Sequence, residues 1–158
     1  MAIHKKIVLT GEPKGRVLEG TISGTPKPGT MMQIKAATEP VGGRLTWEVF
    51  NGTADGERTL VAILCENWFL GKDVTTAYAD GERGPLYCPI MGDELLVLLQ
   101  NQAGTADAFA IGDKLIVDDT TGLFIDTTGS PESEPFIIME TIAAITADTL
   151  AHVIYTGH

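Results

Sequence analysis

The sequence has few of the residues that bind metals or form covalent cross-links. Its two cysteines, Cys65 and Cys88, lie far apart and form no Cys-x-x-Cys pair, and its three histidines are His4, His152 and His158. This set does not match the ligand spacing of a zinc site. We therefore predict no metal site and no cofactor. We also expect both cysteines to be buried thiols that need no disulfide, because proteins made in a cytoplasm rarely keep one.

Long apolar stretches are also missing. No run of residues approaches the roughly 18 apolar positions that a membrane-spanning helix needs. Near the start of the chain, the apolar patch 7–9 spans only three residues before Thr10 and Gly11. That patch is too short for the apolar region of a signal peptide. We expect no membrane partner and expect the chain to be made in a cytoplasm.

Positive charge is scarce and unevenly placed. The chain has 11 Lys and Arg against 21 Asp and Glu, a net charge of −10. This balance argues against nucleic acid as a partner, since phosphate binding requires neutralising cations. Residues 1–44 carry seven basic and three acidic positions, whereas 45–158 carry four and eighteen. Either the basic segment meets the acidic body, within one molecule or between neighbours, or the charges simply occupy solvated faces.

Recognisable catalytic motifs are absent. There is no Gly-x-Ser-x-Gly sequence, and the serines lie in loops rich in Gly and Pro. Neighbouring carboxylates occur at Asp93-Glu94 and Asp118-Asp119, in predicted turns, where Asp usually accepts hydrogen bonds from local backbone amides. We therefore predict that the chain is not an enzyme and has no catalytic residues. A small hydrolase that uses Asp93 and Asp118 is the alternative, and it requires both side chains to share one cleft.

The residues that are abundant indicate a mainly β fold. There are 18 Gly and 8 Pro, which favour turns, and short apolar or alternating runs lie between them. One run alternates Leu45, Trp47 and Val49 with polar residues and ends at Asn51-Gly52, a pair typical of a tight hairpin or a longer loop. A single short helix is predicted over 73–81. The predicted strands are 31–35, 44–50, 60–64, 85–89, 94–99, 115–117, 123–125, 136–140 and 150–155.

These patterns predict a compact β-barrel or sandwich with an extended N-terminal arm. We place the arm at residues 1–27, because its Gly and Pro residues disfavour both helix and central strand, and the barrel domain at residues 28–158. Within the barrel domain a short motif recurs: Gly92-Asp93 and Gly112-Asp113 each precede an apolar run. Both copies predict a turn followed by a strand.

An ordered series of short motifs covers roughly residues 28–140, and each motif is a turn or a strand edge. The motifs are Pro28-Gly29-Thr30-Met31-Met32-Gln33-Ile34, Ala62-Ile63-Leu64-Cys65-Glu66-Asn67, Gly71-Lys72-Asp73-Val74-Thr75-Thr76-Ala77-Tyr78-Ala79-Asp80-Gly81-Glu82, Gly92-Asp93-Glu94, Ala110-Ile111-Gly112-Asp113-Lys114-Leu115 and Asp118-Asp119-Thr120-Thr121-Gly122-Leu123. In this order they resemble the head decoration (cement) proteins of tailed bacteriophages.

The resemblance implies a β-tulip-like barrel and a structural role in the virion. Proteins of that family bind the outside of the expanded capsid and stabilise it by bridging capsomers. The expected partners are the major capsid protein and further copies of the chain itself, with a homotrimer favoured. The expected location is the exterior of the capsid.

We expect the N-terminal arm to supply the capsid contact. Its aliphatic side chains would be buried against the partner, and its cations would set the register. The predicted partner-binding residues are Ile3, Lys5, Lys6, Ile7, Leu9, Lys14 and Arg16. The alternative function is a carbohydrate- or small-ligand-binding β-barrel module in which Trp47 and Trp68 act as stacking platforms.

Overall fold

The computed structural model describes residues 6–9, 15–35, 43–51, 60–101, 108–126 and 136–157. These residues contain ten β-strands and one single-turn 3₁₀ helix at Trp68–Leu70. The strands are β1 (Arg16–Ile22), β2 (Met31–Ile34), β3 (Thr46–Val49), β4 (Val61–Leu64), β5 (Arg83–Cys88), β6 (Glu94–Leu99), β7 (Lys114–Val117), β8 (Phe124–Asp126), β9 (Phe136–Ile138) and β10 (Thr149–Tyr155).

The strands form two closed five-stranded barrels. The first has the order β1-β3-β2-β4-β5 and the second the order β10-β6-β8-β7-β9. Each barrel contains one parallel pair, β1–β3 in the first and β6–β8 in the second, and its other pairs are antiparallel. Full closure pairs the strand edges that would otherwise be open to other chains. The predicted mainly β, barrel-like fold is confirmed.

The core of the first barrel is built around Trp47. Its side chain is 1% exposed and packs with Ile22, Met32 and Leu86. The indole lies directly against the backbone of β1, because a Cβ placed on Gly20 would come within 2.2 Å of the ring atom Cδ1. Glycine at position 20 is therefore needed for this packing.

The second barrel shares its core with the first. A large apolar cluster joins Phe124 and Phe136, whose rings meet edge to face at 5.0 Å, to Tyr87 of the first barrel. Between the barrels, the Gly29 N–H donates to the Leu64 carbonyl at 2.8 Å, and the Gly29 carbonyl accepts from the Leu98 N–H at 3.0 Å. Shared apolar burial and backbone hydrogen bonds thus join the two barrels.

Within the part of the chain that the structure describes, a four-residue turn occurs three times, at 79–82, 90–93 and 110–113. In each copy the first and last residues exchange backbone and side-chain hydrogen bonds, as when Asp93 Oδ2 accepts from the Ile90 N–H at 2.9 Å. The third residue is a glycine with φ of 79°, 91° and 96° respectively, which an L side chain rarely adopts. The prediction that Gly92-Asp93 and Gly112-Asp113 each form a turn followed by a strand is confirmed. The turn at 79–82 likewise precedes a strand, β5.

The structure corrects the prediction for the first 27 residues. Residues 16–22 form β1, which pairs with β5 over six residue positions and with β3. They are therefore an integral strand of the first barrel. The sequence pattern concealed this strand because Gly20 disfavours a strand and because Val17 and Glu19 face outwards. Extended backbone was expected for this segment, but its pairing partners were not.

The helix predicted over 73–81 is wrong. Asp73 Oδ1 accepts from the Thr75 N–H at 2.9 Å and from the hydroxyls of Thr75 and Thr76, which closes a turn. The Tyr78 N–H then donates to the Pro26 carbonyl at 2.9 Å, outside the segment. The β-branched residues at 74–76 have poor helix propensity, and tertiary hydrogen bonds replace the helical ones.

The sequence at Asn51-Gly52 is compatible with a tight hairpin or with a longer loop. Strand β2 lies between β3 and β4, so these two strands are not paired with each other. Residues 52–59, on which the choice between the two turns falls, lie outside the described residues.

Candidate functional site

The structure divides the predicted arm residues into three groups. Lys6 and Arg16 are exposed, and Leu9 is 38% exposed. Ile7 is completely buried in the core shared by the two barrels. The third group, Ile3, Lys5 and Lys14, lies outside the described residues. The assignment of Ile7 as a partner-binding residue is therefore corrected, since its side chain is already covered by its own chain.

Residues 6–9 hold the two barrels together. The Ile7 N–H donates to Glu66 Oε2 at 3.0 Å in the first barrel, and the Ile7 carbonyl accepts from the Leu96 N–H at 2.7 Å in the second. Val8 forms an antiparallel bridge with Leu95. This segment therefore extends the pairing of β6 and acts as a clasp between the barrels, which we call the N-terminal clasp.

The 90–93 turn and the segments beside it carry exposed apolar side chains and a cation. Ile90 and Met91, in the 90–93 turn, are 44% and 70% exposed. Leu9 lies beside this turn, because its N–H donates to the Glu94 carbonyl at 2.9 Å. Arg16 begins β1 opposite the end of β5, directly before the turn. We call Leu9, Arg16, Ile90 and Met91 the terminal surface.

A second exposed apolar surface lies on the outside of the first barrel. Phe69 is fully exposed and Val17 is 60% exposed. Both line a hollow of about 380 Å³, together with Leu18 and Pro85. We call Val17, Leu18, Phe69 and Pro85 the Phe69 surface. Exposed aromatic side chains beside an apolar hollow are typical of a protein contact.

A groove of about 400 Å³ follows part of the seam between the barrels. It is lined by Lys27, Val74, Leu98 and Asp148 and by neighbouring threonines. A second hollow of about 380 Å³ shares Lys27, Leu98 and Asp148 with it. The charged groups that line both hollows, Lys27 and Asp148, are exposed. Asp148 already accepts a hydrogen bond from the Asn101 N–H at 3.2 Å.

The most deeply buried polar group links the two barrels. Asp93 is 0% exposed, and its Oδ2 accepts from the Tyr87 hydroxyl at 2.6 Å. The same hydroxyl accepts from the Gly15 N–H at 2.8 Å, immediately before β1. Burial and the hydrogen bond to Asp93 raise the pKa of Tyr87 to about 12. The network fixes the start of β1, the end of β5 and the turn before β6 in one arrangement.

The carboxylates considered for catalysis do not share a cleft. Asp93 precedes the start of β6, whereas the Asp118 turn contacts the residue after the end of β6 through the Thr121–Gln100 hydrogen bond. At about 3.3 Å per residue, this separates the two by roughly 20 Å. Partial burial raises the pKa of Asp118, but hydrogen bonds from Thr121 and Thr120 outweigh this and lower it. The pair required by the hydrolase alternative is therefore not formed.

The structure also places the two cysteines predicted to be buried and the predicted stacking residue Trp47. Cys65 and Cys88 are free thiols, and burial raises the pKa of both. Trp47, expected to be a stacking platform in the carbohydrate alternative, is in the core of the first barrel and cannot meet a sugar.

Within the described residues, no cluster of His, Cys, Asp or Glu is arranged to hold a metal ion. No helix in the described ranges has both the length and the apolarity to cross a membrane.

Comparison with solved structures shows a similar fold in a protein of known structure. No protein-family model and no curated protein sequence matches the chain. Among solved structures, the chain is similar to the N base of the head fiber gp8.5 of bacteriophage phi29. The two superpose with a TM-score of 0.54 over 90% of this chain and 94% of that chain, at 8% sequence identity. At this identity the likeness shows a shared fold.

Proposed function

We propose that this chain is a structural protein of tailed-phage heads that binds the outside of the capsid and stabilises it by bridging capsomers. Two observations support the proposal, one from the sequence and one from the fold. The ordered motifs resemble head decoration proteins, and the fold is shared with part of a phage head fiber. The proposed partner is the major capsid protein, and the proposed location is the exterior of the virion.

The terminal surface is the observation that carries the proposal. It presents three partly or largely exposed apolar side chains, Leu9, Ile90 and Met91, in and beside the 90–93 turn. Burying such a side chain fully contributes about 1.5–3 kcal/mol. An isolated exposed ion pair contributes only about 0–1 kcal/mol. Apolar contact therefore supplies most of the affinity, while Arg16 helps to orient the encounter.

This surface replaces the free arm as the proposed docking site. Ile7 is buried, so the arm as first predicted would have to leave its own core to reach a partner. Leu9 and Arg16 keep their proposed roles. Lys6 lies close to the terminal surface along the chain, and its exposed charge favours approach to an acidic capsid surface.

Co-sedimentation with capsids tests the proposal, and the repeated turn offers a matched control. Met91 and Ile111 occupy the same second position of two copies of the turn, and they are 70% and 65% exposed. The probe is an expanded empty head assembled from the major capsid protein of the same phage. Met91→Asp should weaken binding by about tenfold or more, equivalent to about 1.4 kcal/mol. Ile111→Asp should bind as the unmodified chain does.

Three results of these binding experiments would contradict the proposal or favour its alternative. Failure of the unmodified chain to sediment with the heads contradicts capsid binding. Equal weakening by Met91→Asp and Ile111→Asp contradicts the terminal surface as the docking site. Binding of a soluble saccharide or other small molecule in the seam groove, without capsid binding, favours the alternative of a ligand-binding module.

A further inference from the structure

We propose that Asn51 is a site of spontaneous deamidation, and that a side-chain network built on Gln33 keeps the reaction slow while the first barrel is folded. The modification concerns the covalent lifetime of the chain. It holds whether or not the chain binds a capsid.

The chemistry follows from the residue after Asn51, which is Gly52. In an Asn-Gly pair the glycine backbone nitrogen attacks the asparagine Cγ, because glycine has no Cβ to hinder the approach. A new C–N bond forms and the Cγ–Nδ2 bond breaks. The glycine N–H proton leaves with the side-chain nitrogen as ammonia, which gives a cyclic imide. Water then opens the imide at one of its two carbonyls, and the product is aspartate or isoaspartate.

The Asn51 amide is held by partners on the neighbouring strands. Its Oδ1 accepts from Gln33 Nε2 at 2.9 Å, and its Nδ2 donates to Glu48 Oε1 at 3.5 Å. The Asn51 N–H donates to Gln33 Oε1 at 3.4 Å. Ring closure turns Cγ onto the following backbone nitrogen and expels Nδ2. The amide therefore has to leave these partners before it can react.

The network is itself fixed by the first barrel. Gln33 is 5% exposed and lies in β2 directly opposite Glu48 of β3, to which its Nε2 donates at 3.2 Å. The Phe50 N–H donates to the Met31 carbonyl at 3.0 Å, which continues the pairing up to the residue before Asn51. Reaction thus requires local opening at this end of the sheet. Each net hydrogen bond that must break lowers the open population several-fold.

Mass spectrometry of the full chain during incubation at mildly alkaline pH tests the proposal. The reference is a peptide of residues 48–54, which has the Asn-Gly pair but lacks Gln33. Aspartate and isoaspartate at position 51 should form at least about tenfold more slowly in the chain than in the peptide. Gln33→Met keeps the side-chain length without a donor or acceptor, and it should accelerate the reaction in the chain about fivefold or more. Glu48→Gln, which keeps an acceptor oxygen and removes the charge, should change the rate by less than about twofold.

Ile7→Ala separates loss of the network from general loss of stability. It removes a buried side chain from the core shared by the barrels and leaves Gln33 in place. Circular dichroism should show that both it and Gln33→Met are folded, and only Gln33→Met should react faster at Asn51. Equal or faster deamidation of the unmodified chain relative to the peptide overturns the proposal, and this comparison needs no variant. It is also overturned if folded Gln33→Met reacts no faster than the unmodified chain, or if Ile7→Ala accelerates the reaction equally.

Discussion

The buried Asp93 carboxylate joins the turn before β6 to β1 and β5. Its Oδ2 accepts from the Tyr87 hydroxyl and from the Ile90 N–H. The Tyr87 hydroxyl in turn accepts from the Gly15 N–H, immediately before β1. One side chain thus helps to position three parts of the chain that are distant in sequence.

Replacing Tyr87 should reveal the strength of this network. Tyr87→Phe removes the hydroxyl and leaves the buried Asp93 carboxylate and the Gly15 N–H each without one partner. Leaving buried polar groups unsatisfied costs about 1–3 kcal/mol. We expect the free energy of unfolding in urea to fall by that amount. Tyr155→Phe, which alters a partly exposed tyrosine, should change it by less than about 0.5 kcal/mol.

Only part of the role of Asp93 was predictable from the sequence. Its place before an apolar run predicted a turn, and the turn is present. Its burial and its bond to the Tyr87 hydroxyl were not predictable from that pattern, because they depend on how β1, β5 and β6 meet in three dimensions. Local hydrogen bonding is encoded in neighbouring residues, whereas a network across two barrels is not.

Carboxylates in the turns should make the fold sensitive to acid. Hydrogen bonds from Thr75 and Thr76 lower the pKa of Asp73 to about 2. A backbone hydrogen bond from Ala79 and the Lys72 ammonium lower that of Glu82. Since these folded-state values lie below the unfolded values of about 4, the stabilisation is complete above about pH 4 and is lost as pH falls towards 2.

Melting temperatures measured between pH 7 and pH 2 test this dependence. The unmodified chain should be nearly constant from pH 7 to 5 and should lose stability below about pH 4. Asp118→Ala removes the turn bonds to Thr120 and Thr121 and should cost about 0.5–1.5 kcal/mol at pH 7. The variant should also lose less stability than the unmodified chain when the pH falls below about 4. The neighbouring Asp119→Ala should show neither the lower stability at pH 7 nor the smaller loss in acid. A melting temperature that rises as pH falls from 4 to 2 contradicts this assignment.

At the scale of elements, strands with continuous apolar runs were predictable and β1 was not. The run at 94–99 matches β6, with the expected bounds, because its side chains are covered on both faces. In β1, by contrast, the exposed Val17 and the Gly20 that accommodates Trp47 hide the strand pattern. A glycine required by a neighbouring indole has the same appearance in sequence as a glycine that ends a strand.

The N-terminal clasp is the element whose role changes most. Ile7→Ala should destabilise the chain by about 2–5 kcal/mol, because it opens a cavity in the core shared by the two barrels. Leu9→Ala, at a position that is 38% exposed, should cost less than about 1 kcal/mol. Urea unfolding of both variants provides the comparison. Equal, small losses would show that the clasp does not contribute to the shared core.

Deleting the N-terminal residues should therefore destabilise the fold more than the deletion of a free arm would. A deletion through residue 20 removes the clasp and most of β1, which pairs with two strands of the first barrel. The variant is expected to lose the first barrel, so its failure to bind a capsid would say nothing about docking. Point changes on the terminal surface are the informative test.

For the molecule as a whole, the class of fold was predictable but its division into two barrels was not. Strand number, short strand length and frequent turns indicate a barrel or sandwich. Closure of two separate barrels depends on strand pairs such as β1–β5 and β6–β10, which join residues distant in sequence. The surfaces were equally hidden, since an exposed Phe69 and a buried Phe124 look alike in sequence. Burial, which decides between contact surface and core, is set by this long-range pairing.

Cryo-electron microscopy of capsids with and without the protein tests the central claim most directly. We expect additional density on the outer surface of the expanded capsid, contacting more than one capsomer. The terminal surface, with Met91 at its centre, should face the shell. Heads reconstructed with the protein present but without external density, or with the terminal surface directed away from the shell, would contradict the proposed function.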